Sequence, residues 1–303
     1  MTADIAFDWS YRGACAPARA LYAKAVDSQW SGRSGLDWSI AVDPERPLLP
    51  AWTCPLHGCD VFDRLSTRER DRVVVEYGRF LVSQLLHGEQ GALLAASRLV
   101  AQAPDLDSKL FAASQVADEA RHVEVFARYV EDKLGETYPP SGQLTTVLGW
   151  ILEESRWDMN VLGTQVMIEG LALATLGAVR RTCSEPLLQA LVTLVLRDEA
   201  RHVSFSVYSL RDAVAQLDER GRREREDFVY EVARRLHDDL VYAPLWQRLD
   251  LPLQSCLDVT RRSIGYQRSR RVFFGNVART LARIDLLTPR LQARLDSICP
   301  DAG

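Results

Sequence analysis

The sequence carries "ADEARHVEVF" at 117–126 and "RDEARHVSFS" at 197–206. The hexapeptide Asp-Glu-Ala-Arg-His-Val is thus written twice, 80 residues apart, in a chain with 5 histidines. On a helix, Glu119 and His122 project from one face, three residues apart, and Glu199 and His202 do the same. Each pair can hold a cation through a carboxylate oxygen and an imidazole nitrogen. Thirty residues before each of these glutamates stands another: Glu89 in "HGEQGALLAA" and Glu169 in "VMIEGLALA". Both lie in small, apolar surroundings, where an unpartnered carboxylate is costly to bury.

The pattern is Glu then Glu-x-x-His, twice. Four carboxylates and two imidazoles with no thiolate balance two divalent cations and suit iron or manganese. The predicted ligands are Glu89, Glu119, His122, Glu169, Glu199 and His202. Asp118 and Asp198 lie one turn before the histidines. They are placed to accept a hydrogen bond from the ligand histidine of the opposite copy and so fix its tautomer. Arg121 and Arg201 are candidates to pair with these aspartates; the simpler reading is surface ion pairing. His87 and His237 have no matched partner and read as surface or outlying residues. Cys54 and Cys59 bracket His57 in "CPLHGC", a weak zinc signal because no second ligand pair stands at finger spacing. Gly91 and Gly170 either make room for oxygen or substrate or permit close helix packing.

Around the repeat the chain reads as almost all helix. Ser66 and Glu69 form a capping box that starts a helix running to about Gln102. Further helical segments are expected over about 107–134, 144–182, 185–217, 221–248, 256–284 and 288–298, with a kink near Gly163. No alternating strand pattern persists. The expected organisation is an N-terminal arm at 1–65, a four-helix bundle at 66–217 and additional helices at 218–303. The arm holds four of the 7 tryptophans, Trp9, Trp30, Trp38 and Trp52, and a short helix at about 17–30. It is expected to lie on the core and cover those rings.

Composition fits a globular protein of 303 residues, with a net charge of −4 that argues against a nucleic-acid partner. The local basic stretch "RRSIGYQRSRR" (261–271) reads as a solvated helix face, or as a site for phosphate or an acidic partner. The N-terminus lacks the pattern of a secretory signal. The apolar run at 161–179 contains Glu169, which a membrane span would resist. Six scattered cysteines in a long chain favour free thiols. A cytoplasmic protein is expected, without a membrane partner.

At the duplicated Asp-Glu-Ala-Arg-His motifs and their upstream glutamates, over about 66–215, the chain resembles the ferritin-like di-iron carboxylate superfamily. Within it the spacing looks most like the oxygen-activating branch of p-aminobenzoate N-oxygenase-like enzymes, desaturases and ribonucleotide reductase small subunits. The resemblance implies an all-α, ferritin-like four-helix bundle with additional helices and an irregular N-terminal arm. It implies two iron ions, or a manganese–iron pair, with Glu119 and Glu199 as bridges. The implied activity is O2-dependent oxidation of a small organic substrate by N-oxygenation, hydroxylation or desaturation. A ferredoxin or flavin reductase would be the electron donor, and a homodimer is left open. Two positions depart from close relatives. Arylamine N-oxygenases carry a third histidine ligand where this chain has Val195, and common reductase subunits carry a radical tyrosine where it has Phe126. The competing readings are a ferroxidase or iron-storage protein, a ligand-binding manganese–iron oxidase, and a bundle that uses metal only to fold.

Overall fold

The computed structural model describes residues 5–239 and 242–299. Residues 1–4, 240–241 and 300–303, which belong to the expected arm and C-terminal helices, lie outside the described residues. Among the described residues there are helices and no strands. After α1 (Ala16–Asp27) and the single turn α2 (Asp60–Asp63), the long α3 (Thr67–Gln102) begins. Its capping box is formed: Ser66 N donates to the Glu69 carboxylate at 2.7 Å, and Glu69 N donates back to Ser66 Oγ at 3.4 Å. Helix α4 (Leu106–Tyr129) is capped by Asp105, which accepts from Ser108 N at 2.9 Å. It continues through a π-helical turn, Val130–Leu134, and stops at Gly135, whose φ of 79° suits glycine.

The expected segment over 144–182 is not one helix. It divides into α5 (Gly142–Glu153), α6 (Trp157–Val161), a π-helical stretch Leu162–Ile168 and α7 (Glu169–Thr182). The break has a local cause. The Glu154 carboxylate accepts from Arg156 N at 2.9 Å and from its guanidinium at 2.7 Å, competing with helical hydrogen bonding. The Glu154 carbonyl is taken by Gln102 Nε2 at 3.1 Å. The irregularity near Gly163 is the π-helical stretch, and Gly163 lets it approach α5. A Cβ on Gly163 would stand 2.5 Å from Ile151 Cγ1.

Helix α8 (Pro186–Ala215) starts at Glu185, which accepts from Leu187 N and Leu188 N, both at 2.7 Å. Then follow α9 (Glu219–Asp239), α10 (Ala243–Arg248), α11 (Leu253–Arg262), α12 (Ile264–Arg283) and α13 (Pro289–Ile298). The helix expected over 256–284 is therefore divided at Ser263, which caps α12 through Tyr266 N at 3.2 Å. That expected over 221–248 is described as α9 and α10.

Helix α3 packs along α4 and α7 along α8, while α4 meets α8 and α3 meets α7 across the middle. This is the all-α, ferritin-like bundle. Helix α1 lies over α4 and α8; α12 lies against α7, and α9 against α5 and the π-helical stretch. The N-terminal and C-terminal additions therefore cover different sides. Trp157–Thr182 is long and apolar enough to cross a membrane, but 61% of its most apolar window is buried within the protein. The arm departs from expectation in two tryptophans. Trp30 and Trp38 are partly buried, whereas Trp9 and Trp52 are exposed at 71% and 63%. Trp9 stacks on Phe7 at 5.0 Å, so its covering is local.

Gly163→Ala is expected to lower stability by about 1–2 kcal/mol, because Ile151 is fully buried and its Cγ1 has nowhere to retreat. Equilibrium urea unfolding checks this; a more stable variant would mean that helix propensity outweighs the close approach.

Candidate metal centre

Glu89 comes from α3, Glu119 and His122 from α4, Glu169 from the first turn of α7, and Glu199 and His202 from α8. All six are buried. They form two overlapping groups, Glu89/Glu119/His122/Glu199 and Glu119/Glu169/Glu199/His202, with candidate ligand atoms in each within 4.8 Å of one another. Glu119 and Glu199 belong to both. His122 Nδ1 lies 3.1 Å from Glu89, 3.3 Å from Glu119 and 3.2 Å from Glu199. His202 Nδ1 lies 3.2 Å from Glu119, 3.7 Å from Glu199 and 3.9 Å from Glu169.

The donor set fits two cations. Glu119 Oε2, Glu169 Oε2, both Glu199 oxygens and His202 Nδ1 are buried without a hydrogen bond, although charged neighbours stand close. Buried polar atoms normally find a partner. Here their lone pairs converge on each other, as a bound cation would require of carboxylate oxygens and imidazole nitrogens together. The π-helical stretch ends at Glu169, and such local widening of a helix is frequent at functional sites.

A second layer surrounds the histidines. His122 Nε2 lies 3.1 Å from Asp198, and His202 Nε2 lies 3.3 Å from Asp118, so each imidazole reaches the aspartate of the other motif. Both arginines serve both aspartates. Arg201 Nη2 donates to Asp198 and, at 3.1 Å, to Asp118; Arg121 Nη2 donates to Asp118 and, at 3.4 Å, to Asp198. Arg201 is itself buried, so the surface-pair reading does not describe it. Helix α1 and the residues after it complete the layer. Trp30 Nε1 donates to Asp198 at 2.7 Å, Gln29 Nε2 donates to Asp118 at 3.1 Å, and Arg121 lies over the Trp30 ring at 5.1 Å.

Sequence reasoning missed Gln115 and Gln165. Gln115 Nε2 donates to Glu169 at 2.7 Å and to Glu119 at 3.3 Å, while Gln165 Nε2 donates to Gln115 Oε1 at 2.7 Å. The available signal was a broken symmetry: Gln115 stands one turn before Glu119, and the matching position before Glu199 is Val195. Other candidates fall away from the centre. His87 Nε2 meets the Tyr138 carbonyl at 2.8 Å, and His237 Nε2 meets the Tyr266 hydroxyl at 3.0 Å. Among the described residues, Cys54, His57 and Cys59 do not gather as a metal-holding group. At Gly91 the close-packing reading holds, since a Cβ there would stand 2.3 Å from Leu148 Cδ2. The open space lies elsewhere: a cavity of about 100 Å³ reaches Glu89, Glu169 and Glu199, walled by Leu85, Ala92, Ile168 and Leu171.

Without cations, burial and the neighbouring Glu199 charge push Glu89 up to about 8. Burial and Glu199 also raise Glu169 well above the usual carboxylate range. Burial opposes the charged form of both histidines, but the hydrogen bonds they donate outweigh it, first from His122 to Asp198 and from His202 to Asp118, raising both. Glu119 is the exception. Burial would raise it, but His122 and His202 hold it well below the usual carboxylate range.

A ferritin-like bundle that gathers four carboxylates and two imidazoles at its centre defines the dimetal carboxylate class of oxidoreductases. The chain belongs to the p-aminobenzoate N-oxygenase AurF family, which it matches over residues 14–285. That match stands although Val195 is a buried apolar residue. No curated protein matches the sequence. Among solved structures, the fold is similar to that of an R2-like ligand-binding oxidase with aerobically reconstituted metal cofactor after photoconversion. The TM-score is 0.60 and the identity 17%, over 93% of this chain and 95% of that one. A variant of R2-like ligand-binding oxidase with an anaerobically reconstituted Mn/Fe cofactor gives a TM-score of 0.57 at 18% identity, over 93% and 95% of the two chains.

Cations must displace protons from Glu89, Glu169, His122 and His202, all raised, so affinity is expected to rise with pH, with Glu89 releasing its proton at about 8. The slope is about tenfold per pH unit for each proton released. Anaerobic ferrous titrations at pH 6, 7 and 8 with a proton-release indicator check this; a flat profile would contradict it. Gln115→Leu removes the amide that holds Glu169. It is expected to weaken one of the two cations by about tenfold or more, leaving the other near wild type. Equal weakening of both in a metal titration would show that the amide does not distinguish them.

Proposed function

We propose that this chain is a dimetal oxygenase that uses dioxygen to oxidise a small organic substrate, by N-oxygenation, hydroxylation or desaturation. Glu89, Glu119, His122, Glu169, Glu199 and His202 are its metal ligands, with Glu119 and Glu199 shared between two iron ions or a manganese–iron pair. One observation carries the reading: six ligand side chains are buried together, four of them with unsatisfied polar atoms, and an apolar cavity ends on three of the six. AurF-family membership supports N-oxygenation among the three outcomes.

When bound, the metal pair supplies two electrons to dioxygen from neighbouring sites. The protein residues do the rest. Asp198 and Asp118 hold the imidazoles by Nε2 and leave Nδ1 facing inward. The histidines themselves, followed by Arg121 and Arg201, keep those aspartates ionised, and the arginines hold them in place. Gln115 fixes Glu169, while both Glu199 oxygens lack hydrogen bonds, leaving that carboxylate free to change its mode of binding. Leu85, Ala92, Ile168 and Leu171 exclude water beside the reacting atoms. An iron-storage protein needs a polar route for ions, and this apolar lining does not offer one.

The same reading calls for an external electron donor, a ferredoxin or flavin reductase. It also fits a cytoplasmic protein, whose cysteines would stay reduced. Light scattering on the metal-loaded protein tests whether the active form is a homodimer.

Anaerobic ferrous loading is expected to give two metals per chain, and an oxygen pulse to give rapid oxygen uptake. Glu119→Ala and His202→Ala should each lower metal content and oxygen uptake at least tenfold while keeping helical circular dichroism. Unchanged metal stoichiometry in both variants would overturn the ligand assignment. Continuous iron turnover with no effect of any organic substrate would favour iron handling instead.

A further inference from the structure

The cavity at the metal centre does not end in the core. A second cavity of about 190 Å³ lies beside it, and the two share Leu81, Leu171, Thr175 and Tyr242 as walls. Helix α7 runs along both. Glu169 stands at its inner end and Arg181 in its last turn, about 18 Å apart along the axis at 1.5 Å per residue. The shared section is apolar in effect, because the Thr175 hydroxyl donates to the Leu171 carbonyl at 3.0 Å within the helix.

The outer cavity has a different rim. Arg181 and Arg268 line it and are exposed, and neither forms an ion pair among the described residues. Arg268 comes from the basic stretch 261–271 and sits near the N-terminus of α12, whose first turn carries no acid. Several helical arginines are paired with acids, as Arg290 and Arg294 are with Asp227, whereas these two line a cavity mouth without one.

We propose, resting on the oxygenase reading, that the two cavities form one access channel for an elongated, mostly apolar molecule with an anionic end. The anion rests between Arg181 and Arg268 at the mouth. The apolar body passes Leu81, Leu171 and Thr175, and its far end reaches Glu89 and Glu199. A guanidinium pair recognises a carboxylate or phosphate, and the wall beyond it rewards apolar length. The span is longer than a single aromatic ring, so a bare aminobenzoate would not fill it. The charged end stays away from the metals, which leaves the reacting end to be oxidised.

Isothermal titration calorimetry of the metal-loaded protein under anaerobic conditions tests this with three probes: dodecanoate, dodecanol and benzoate. Dodecanoate is expected to bind about tenfold or more tightly than either of the others. Arg181→Gln with Arg268→Gln should remove about tenfold from dodecanoate and leave dodecanol unchanged. Thr175→Phe should narrow the shared section and weaken dodecanoate by about tenfold. Dodecanoate binding that ignores the arginine changes would overturn the proposal, since its head would then sit elsewhere, including on the metals. Binding that ignores Thr175→Phe would overturn the passage between cavities. Calorimetry needs no turnover. A wild-type protein that shows the charge preference but takes up no oxygen overturns the oxygenase reading alone; one that takes up oxygen without the preference overturns the channel alone.

Discussion

Charge compensation in a dry interior governs this structure. Glu89, Glu119, Glu169, Glu199, Asp118 and Asp198 are six carboxylates buried together. Taking one unpaired carboxylate out of water costs several kcal/mol, and like charges at this range add to it. Arg121 and Arg201 answer two of the six charges, and four remain, which is the charge of two divalent cations. The only carboxylates these arginines pair with are the two aspartates, and the only carboxylates in the metal-holding groups are the four glutamates. Compensation is thus layered, with cations at the centre and guanidiniums around it, and the imidazoles join the layers because each has one nitrogen in each.

That layering explains why the repeat must be long and identical. A glutamate alone, or Glu-x-x-His alone, would place one ligand pair. The preceding aspartate serves the histidine of the other copy, so both helices need both residues, in the same register, facing each other. The crossing of His122 to Asp198 and His202 to Asp118 ties α4 to α8 through the site itself. Without cations the same residues resolve the conflict by holding protons on Glu89 and Glu169 and on the histidines.

The sequence made the repeat, its helical placement and the bundle legible, because periodicity and exact recurrence are local signals. Its limits were also physical. The break at Glu154–Arg156 comes from a carboxylate folding back on its own backbone and from Gln102 reaching in from α3, contacts that no window of sequence contains. Trp30 read as one of several aromatic residues in an arm; its indole N–H turns out to complete a buried aspartate 168 residues away. Gln115 was visible as a difference between the two copies, yet its meaning depended on Glu169 arriving from α7. Charge and spacing announce a site, whereas the neutral donors that orient it are chosen by packing.

The two ends of the chain divide the labour around a nearly symmetric centre. Helix α1 and Trp30 close the side where α4 and α8 present their aspartates and arginines, making a polar, hydrogen-bonded seal. Helices α3 and α7 carry the two single glutamates, and their side opens to apolar cavities edged by residues of α12 and its neighbours. A duplicated core supplies identical ligand sets, so any chemical difference between the cations must come from what lies beyond the repeat. Gln115 on one half against Val195 on the other is the innermost such difference; the polar arm and the apolar channel are the outer ones. Glu199 stands where these differences meet. It is shared by both groups, faces the cavity and lacks hydrogen bonds, so the least constrained carboxylate of the centre is also one that an incoming molecule would meet.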